Sequence, residues 1–553
     1  MKARKFLVLL LSLLLLLVGC SGGLRSAKEI DSKDRPVAER REGGTLHVPL
    51  TNIDTLNPLL TENQSYFQLS KLLYDQLFVF EGSGRMIPSL VEHVEVSNGG
   101  RRVSLTLRKG IFWEDGTPLT TKDVDATFRA IKAMDAEAPY PRMIRHSAGV
   151  RSAKPLADMM RAVIFDARNI DFEFDRPYGN FREMLAFPIL PSHLMSTEDM
   201  AEKDDFKVTG SGPYIFKKFE KNKKVFLEKN PNYHGNLPYV DEIVGIILSD
   251  PAAIRQAYEA EQIDLCVLDD YTWDKYRAGH PKRLEPFESQ RVETVCLNTA
   301  NADLSDPALR KALDFAVNKG RIRDSLYLSQ GTIANFFLNP KISGGLFAKE
   351  EAYTSTDAAA ELLDKAGYKD TNGDGYREKP GGAPLRLSIL VDPAYEKMKT
   401  EAGMLKDDWA KIGVQCELKT LAVPTEGEAE EGGDFLSTVK SGGYQIAIVG
   451  MNFSAAPDLE SVLHSASVGE MNLSRYGNPE ADRILEKLAL TRGEDERRAL
   501  VQELYGIFQK DTPYIPILFK QKVLIKGDRV QGMLRPNVYN VYNGMDDVYL
   551  SEE

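Results

Sequence analysis

The sequence predicts a mixed α/β protein with two or three domains. Segments that alternate apolar and polar residues, as half-buried strands do, are interleaved along the chain with segments that carry apolar residues at helical spacing. The chain has 553 residues, of which 42% are hydrophobic, and this is enough to bury several cores. No segment repeats at a fixed period, so a solenoid or propeller is not predicted.

The first clear elements follow one another between residues 102 and 134. Val103, Leu105 and Leu107 alternate with polar residues, which predicts a half-buried strand. A turn is predicted at residues 114–118 (EDGTP). Thr120 and Asp123 then form a capping-box pair that predicts the beginning of a helix.

Later segments use similar boundary signals. The apolar run 243–248 predicts a buried strand, and Asp250 with Pro251 supplies the cap and the first residue of a helix that extends through Ala260. Helices are also predicted to begin at Asp306-Pro307 and at Asn478-Pro479 and to cover residues 356–366 and 494–510, and a strand is predicted over residues 516–519.

The first twenty residues resemble a bacterial lipoprotein signal peptide. Basic residues at positions 2, 4 and 5 precede an apolar run from Phe6 to Val18. This run is shorter than the roughly 20 residues of a membrane-spanning helix and is typical of a secretory signal. It ends in LVGC, which resembles a lipobox, and in such signals the Cys thiol, here that of Cys20, is diacylated and the peptide is cut before it. The alternative is an ordinary signal peptide in which Cys20 has no role.

Residues 1–19 are therefore predicted to be a signal peptide, and the Gly-, Ser- and charge-rich residues 20–42 a lipidated tether. No later segment has the length and apolarity of a membrane span. Loss of Lys2, Arg4 and Lys5 removes three positive charges and changes the formal net charge from −11 to −14. Nucleic acid is not a predicted partner, because its binding requires clustered Lys and Arg.

Local motifs do not indicate an enzyme, and no cofactor is predicted. The sequence has no Gly-Lys dipeptide, which excludes a Walker loop, and no Cys-x-x-Cys motif. Its seven histidines are scattered and form no zinc-binding helix motif. The cysteines after Cys20 are Cys266, Cys296 and Cys416, an odd number that allows either one disulfide or buried free thiols.

Residues 370–375 (DTNGDG) match the first half of a calcium-binding loop. Asp370, Asn372 and Asp374 stand at positions one, three and five of that loop. Position twelve, where a bidentate Glu is required, is Gly381. A tight turn between a helix and a strand is the favoured interpretation, and weak Ca²⁺ binding by these three residues is the alternative.

Several segments, taken in order, resemble the family 5 extracellular solute-binding proteins of ABC importers, which include oligopeptide-, dipeptide- and nickel-binding proteins. The longest is residues 107–119 (LRKGIFWEDGTPL), which is similar to the family's LRxGVxFxDGxPL pattern. Because Trp113 lies inside this segment, it is assigned to the fold rather than to a site. The other similar segments are 56–59 (LNPL), 73–77 (LYDQL), 88–91 (PSLV), 210–214 (GSGPY), 229–233 (KNPNY), 310–318 (RKALDFAVN), 362–368 (LLDKAGY), 476–482 (YGNPEAD) and 513–516 (PYIP).

This resemblance implies a periplasmic-binding-protein-like, two-lobed α/β fold (type II, cluster C) with an extra small subdomain inserted in the first lobe. It places the core of the first lobe at residues 43–72, 205–290 and 510–553, the inserted subdomain at 73–204 and the second lobe at 291–509. Two such lobes hinge around a ligand and close on it. The implied protein is a non-catalytic, extracytoplasmic monomer, anchored in the membrane by lipid, that captures peptides and delivers them to an ABC permease and ATPase.

The resemblance also places the ligand in the cleft between the lobes. In oligopeptide binders, the region after the apolar strand 446–449 carries an Asp that pairs with the ligand's α-ammonium group. Residues 454–456 are Ser-Ala-Ala here, so either Asp458 takes that role by a register shift or a free N-terminus is not gripped. The candidate ligand-binding residues are Tyr66, Phe67, Trp273, Asn298, Tyr444, Asn452, Phe453, Ser454 and Asp458.

Three other functions stay open on the sequence. The same clamp could bind a non-peptide solute such as a metal chelate, an opine or a sugar. It could instead serve as a ligand sensor or a chaperone-like protein that signals to a receptor. An extracytoplasmic hydrolase with a site assembled from distant residues is the third alternative.

Overall fold

Three large β-sheets organise the part of the chain that the structure describes. The computed structural model describes residues 40–149, 154–204, 206–268, 276, 283–348, 353–421, 434–453 and 458–551. The first sheet has the strand order Thr45–Leu50, Glu242–Ile247, Lys224–Lys229 and Tyr214–Glu220. Its first two strands are parallel, with Leu46 opposite Ile243, and the other neighbours are antiparallel. A parallel pair requires a crossover connection, and the connection here is long enough to contain the second sheet.

The second sheet is antiparallel and has the order Val91–Ser97, Arg102–Leu107, Asn169–Phe174 and Met160–Ile164. Its second strand confirms the strand predicted from the alternation around Val103. The helix Thr121–Ala133 packs beside this sheet and begins with the predicted capping box, in which Asp123 Oδ2 accepts a hydrogen bond from the Thr120 backbone amide at 2.7 Å.

The third sheet has seven strands, of which two are unusually long. Its order is Leu265–Leu268, Tyr514–Lys526, Leu284–Leu297, Ile446–Asn452, Arg386–Val391 and Gln415–Thr420, and Thr332–Ile333 also pairs with Tyr514–Lys526. Two small sheets pair Phe78–Phe80 with Met86–Pro88 and Val530–Gln531 with Tyr549–Leu550.

The helices begin at the predicted caps. Asp250 and Asp306 accept hydrogen bonds from backbone amides of the first turn, with Pro251 and Pro307 as the first helical residues. The helices described are Gln64–Ser70, Thr121–Ala133, Pro139–Ser147, Phe181–Met184, Thr197–Met200, Pro251–Glu259, Pro307–Ala316, Lys319–Leu326, Thr356–Lys365, Glu396–Ala410, Phe435–Ser441, Leu459–Leu463, Pro479–Leu490 and Glu494–Asp511, with short 3₁₀ turns at Asn98–Gly100, Leu156–Asp158, Ala302–Leu304, Ser465–Ser467 and Met545–Asp547.

The two long strands Leu284–Leu297 and Tyr514–Lys526 connect separate hydrophobic cores. Phe287 and Leu524 pack into the core around the first and second sheets, which also holds the fully buried Trp113. Val295 and Ile515, toward the other ends of these strands, pack into the core around Trp409. The paired strands therefore run from one body of the protein to the other. The residue boundaries of the lobes given above stay a prediction.

The cysteines at positions 266, 296 and 416 are free and buried. Of the two alternatives that the sequence left open, one disulfide or buried free thiols, the structure shows the buried thiols. Burial raises the pKa of the Cys416 thiol to about 12. Within the part of the chain that the structure describes, no helix is both long enough and apolar enough to cross a membrane.

Candidate functional site

A cavity of about 850 Å³ lies between elements of the first core and the long strands of the third sheet. This volume falls within the roughly 300–1,000 Å³ that is usual for small-ligand sites. The described residues that line it are Gln64, Phe67, Gln68, Lys71, Gln76, Phe80, Tyr140, Met143, Ser147, Glu183, Ala186, Ser289, Gln290, Arg291, Glu293, Tyr327, Tyr395, Lys397, Met398, Asn452, Phe453, Lys520, Lys522, Val538 and Tyr539.

The two long strands form the floor of this cavity. Their pairing register shifts between Glu288 and Val292, which makes a β-bulge of residues 289–291. Such a bulge bends a strand and redirects its side chains, and here Gln290 and Arg291 reach the cavity. The bulge is held by the Ser289 hydroxyl, which donates to the Lys520 carbonyl at 2.6 Å.

One wall is aromatic and comes from elements of the first core. Phe67 lies on the helix Gln64–Ser70, and the Lys71 ammonium is 4.4 Å from the centroid of its ring. Phe80 and Tyr539 stack with ring centroids 3.9 Å apart. Flat aromatic surfaces of this kind supply apolar contact area without many rotatable bonds.

A buried ion-pair cluster lies on the floor. Glu293 is 1% exposed, and its carboxylate lies 2.6 Å from Lys520 Nζ and 3.3 Å from Arg291 Nε. Gly450 stands opposite Glu293 on the neighbouring strand. A Cβ at position 450 would lie 2.8 Å from Arg291 Nη2 and 3.1 Å from Glu293 Oε2, so the missing side chain leaves room for the cluster.

A second buried carboxyl group lies behind the cavity-lining Tyr327. Glu401 on the helix Glu396–Ala410 is 0% exposed, and Oε2 accepts a hydrogen bond from the Tyr327 hydroxyl at 3.3 Å. Burial, together with the negative charge of Glu293, raises the pKa of Glu401 to about 8. Glu401 therefore carries a proton at neutral pH.

Burial also shifts the pKa values of two charged groups, Lys71 and Glu183, on the opposite side of the cavity. It lowers the pKa of Lys71 to about 8, because removing an ammonium from water disfavours its charged form. Burial raises the pKa of Glu183, and the nearby charges of Arg497 and Arg182 partly oppose this rise.

The sequence matches the model of the family described as bacterial extracellular solute-binding proteins, family 5 middle, over residues 85–472, which is more than half of the chain. The chain belongs to this family. Family 5 solute-binding proteins serve ABC importers, and the solved neighbours have the two-lobed periplasmic-binding fold, as the resemblance implied.

Individual relatives of this family 5 protein match it over most of its length. The oligopeptide-binding protein AppA of Bacillus subtilis is 24% identical and covers 98% of both chains. The nickel-binding periplasmic protein of Escherichia coli is 25% identical and covers 86% of this chain and 88% of its own. Among solved structures, the ABC transporter substrate-binding protein CtaP of Listeria monocytogenes has a TM-score of 0.75 at 23% identity, over 93% of this chain and all of its own.

Of the candidate ligand-binding residues, the structure brings Phe67, Asn452 and Phe453 to the cavity. The Phe453 backbone amide donates to the Gln290 carbonyl at 3.2 Å, which joins the end of one strand to the bulge. Their contact with ligand stays a prediction. Ser454 and Trp273, like Cys20, lie outside the described residues.

The other candidates do not line the cavity. Tyr66 is fully buried, and its hydroxyl donates to the Leu56 carbonyl at 2.8 Å. The Asn298 amide donates to the carbonyls of Gly442 and Tyr444 at 3.1 and 2.8 Å. Tyr444 itself borders a different cavity of about 680 Å³ beside the strands Arg386–Val391 and Gln415–Thr420.

Asp458 caps a helix in this structure. Its side chain accepts a hydrogen bond from the Ser461 backbone amide at 3.1 Å, at the beginning of the helix Leu459–Leu463. The register shift that would bring Asp458 to the ligand is therefore not seen among the described residues.

Sequence reasoning missed most of the charged floor, including Arg291, Lys520 and Lys522. Arg291 belongs to a polar triplet, residues 289–291, that interrupts an otherwise strand-like segment. Such an interruption is the signal that could have indicated a bulge. Nothing local distinguishes the two lysines, which become neighbours of Arg291 only when the long strands pair.

The calcium-like segment forms a tight turn. Asp370 accepts hydrogen bonds from the backbone amides of Gly373 and Gly375 at 2.7 and 2.9 Å. The Asp374 side chain accepts one from the Tyr376 amide at 2.8 Å. No cluster of three or more His, Cys, Asp or Glu residues suited to a metal occurs among the described residues. The side-chain oxygens of Asp370 and Asp374 therefore accept hydrogen bonds from backbone amides, as the turn interpretation predicts.

Proposed function

We propose that this family 5 protein captures peptides in the cavity on its long strands and delivers them to the permease of an ABC importer. The observation that supports this most is the cavity itself, which is large enough for a short peptide and lies where two bodies are joined by a pair of strands. The AppA relative, named as oligopeptide-binding, matches nearly the whole chain.

The lining suits a ligand with a polar backbone and varied side chains. The Gln64 side-chain amide can donate to and accept from peptide groups, and Gln290 Oε1 can accept, while Gln290 Nε2 already donates to the Tyr539 hydroxyl. The aromatic wall around Phe67 and Tyr539 offers apolar contact that does not depend on one side-chain shape. A ligand that touches both the floor and this wall favours the closed form by its contacts with both.

The test is calorimetric titration of the purified protein with peptides of two to nine residues, combined with native mass spectrometry of the ligand that it carries from the cell. We expect peptide binding with a decrease in the radius of gyration measured by X-ray scattering. Asn452→Trp, at an exposed position of the cavity lining, should abolish binding by filling the site, whereas Lys221→Trp in an exposed turn should not. Binding of no peptide, or equal binding by both variants, would contradict the proposal.

The proposal includes a lipid anchor at Cys20, because the preceding residues form a signal-like apolar run that ends in a lipobox-like sequence. Two or more acyl chains are needed for stable membrane attachment. Mass spectrometry of the N-terminal fragment of the membrane-extracted protein should find Cys20 as its first residue and carrying acyl chains. A fragment that begins elsewhere, or an unacylated Cys20, would contradict the anchor and leave the binding proposal untouched.

A further inference from the structure

The charges that line the cavity are not balanced. Among the described lining residues, the cations are Lys71, Arg291, Lys397, Lys520 and Lys522, and the carboxylates are Glu183 and Glu293. The chain as a whole has a formal net charge of −11. A cationic surplus in an acidic protein is therefore a local property of this site, and it attracts ligands of opposite charge.

The two carboxylates cannot serve as free partners for a cationic ligand. Glu293 already lies 2.6 Å from Lys520 and 3.3 Å from Arg291. Glu183 stands close enough to Arg182 and Arg497 for their charges to act on it. Glu401 lies behind Tyr327 and is protonated at neutral pH. A ligand ammonium would therefore compete with cations that the protein itself supplies.

Two of the cations have no carboxylate partner within the described part of the chain. The structure gives no ion pair for Lys71 or for Lys522, whereas Lys520 is paired with Glu293. Lys71 instead rests against the Phe67 ring. Both lysine side chains are half-buried. A partly desolvated ammonium without a counter-ion is unfavourable in the empty site, and an anionic ligand would relieve that cost.

The segment after the strand Ile446–Asn452 supplies no compensating charge. Residues 454–457 are Ser-Ala-Ala-Pro and contain no carboxylate in the sequence. The next residue, Asp458, is engaged at the beginning of its own helix. Among residues 452–458 the sequence therefore offers no carboxylate other than Asp458 for a peptide's free N-terminus.

We infer that the ligand is an anion: a peptide or peptide-like solute whose carboxylates outnumber its ammonium groups, with Lys71 on one side of the cavity and Arg291, Lys520 and Lys522 on its floor. This inference rests on the proposed function and narrows it to acidic substrates. The protein then selects by net charge rather than by the ligand's N-terminus.

The test compares three tetrapeptides, Gly-Glu-Glu-Gly, Gly-Gln-Gln-Gly and Gly-Lys-Lys-Gly, together with citrate, by calorimetric titration of the purified protein. We expect the Glu peptide to bind at least about tenfold more tightly than the Gln peptide, and the Lys peptide to bind more weakly than either. Lys71→Met and Lys522→Met should each lower the affinity for the Glu peptide about tenfold while changing the affinity for the Gln peptide little. Lys221→Met, on an exposed turn, is the matched control.

The outcomes separate this inference from the peptide proposal. Equal or tighter binding of the Gln or Lys peptide would overturn the charge inference and leave peptide capture standing. Binding of citrate without any peptide would support the charge inference and overturn peptide capture. Failure of all four probes would overturn the charge inference. Thermal unfolding of the Met variants, measured alongside, distinguishes a lost contact from a lost fold.

Discussion

The buried Glu401 should make the protein less stable as the pH rises from about 4.5 to 8. Its pKa is raised from 4.5 to about 8 in the folded chain. The folded form therefore holds a proton that the unfolded form releases between these two values. A group whose folded pKa is raised contributes stability that is present below the unfolded pKa and is lost as the pH rises through the folded pKa.

The magnitude follows from the size of this shift. Each pKa unit corresponds to about 1.36 kcal/mol. At pH 7 the unfolded chain carries Glu401 as a carboxylate, which must take up a proton when the chain folds. This requirement lowers the free energy of unfolding by about 3 kcal/mol relative to a neutral group of the same shape. The amide of Glu401→Gln is such a group and does not titrate. The variant should keep the hydrogen bond from Tyr327, whose hydroxyl can donate to the amide oxygen.

The assay is urea denaturation of the natural protein and of Glu401→Gln at pH 5, 6, 7 and 8, followed by tryptophan fluorescence. Trp409, in the same helix and 0% exposed, reports the unfolding of this region. We expect Glu401→Gln to be about 3 kcal/mol more stable at pH 7 and to differ by less than about 1 kcal/mol at pH 5. Glu417→Gln, whose side chain is 67% exposed, is the control and should show no such trend.

A constant difference between the two proteins across this pH range would refute the reasoning. So would a Glu401→Gln protein that is less stable than the natural one at pH 7. The first result would mean that Glu401 does not change its protonation on folding. The second would mean that the carboxyl group makes a contact that the amide cannot replace.

Three further predictions concern stability and thiol reactivity. Arg310 is 5% exposed and donates to several backbone carbonyls, including that of Leu304 at 2.7 Å. Arg310→Lys should therefore lower the free energy of unfolding, measured by urea denaturation, by about 2–3 kcal/mol. The same change at the exposed Arg386 is the control and should not lower it. A Cβ at Gly179 would clash with the Thr491 backbone carbonyl oxygen as well as with Arg497 Nη1, so Gly179→Ala should lower the melting temperature, and an unchanged value would contradict this close approach. The three free thiols at positions 266, 296 and 416 are buried, so in the Cys20→Ala variant they should react with a thiol reagent such as DTNB only after denaturation, and rapid reaction of the native variant would contradict their burial.

The helices could be predicted well because their signals are local. An Asp or Asn followed by Pro, as at Asp306 and Asn478, satisfies the first backbone amides and sets the first helical φ angle wherever it occurs. The capping box at Thr120 works in the same way. These contacts lie within a few residues of one another, so their chemistry can be read without knowing the rest of the fold.

The long strands could be predicted only in part. Residues 516–519 are an apolar run that indicated a strand, but the strand extends over Tyr514–Lys526 and includes the polar Lys520, Gln521 and Lys522. These residues lie where the strand passes the cavity between the two bodies. Their side chains therefore face an open space rather than a hydrophobic core. The period of a half-buried strand does not reveal such a position.

The site could be predicted less well than the fold, because its residues come together from distant segments. Phe67, Arg291, Phe453 and Lys520 each belong to a different part of the sequence and meet only at the cavity. Resemblance to a family directed attention to the segment around Asn452, which lines the cavity. It also favoured Tyr66 and Asn298, whose polar atoms are instead used for hydrogen bonds to the backbone.

The proposed binding of an anion at the charged floor would act on the strands that join the two bodies. Arg291 and Lys520 lie on the two long strands that run between the separate cores, and both contact Glu293. An anion that binds these cations acts on the same strands that any rotation of the two bodies must bend. Because Glu293 is buried, its cations cannot leave it without a large electrostatic cost. The ligand must therefore add to this cluster rather than replace Glu293, so the arrangement favours ligands that bring carboxylates of their own.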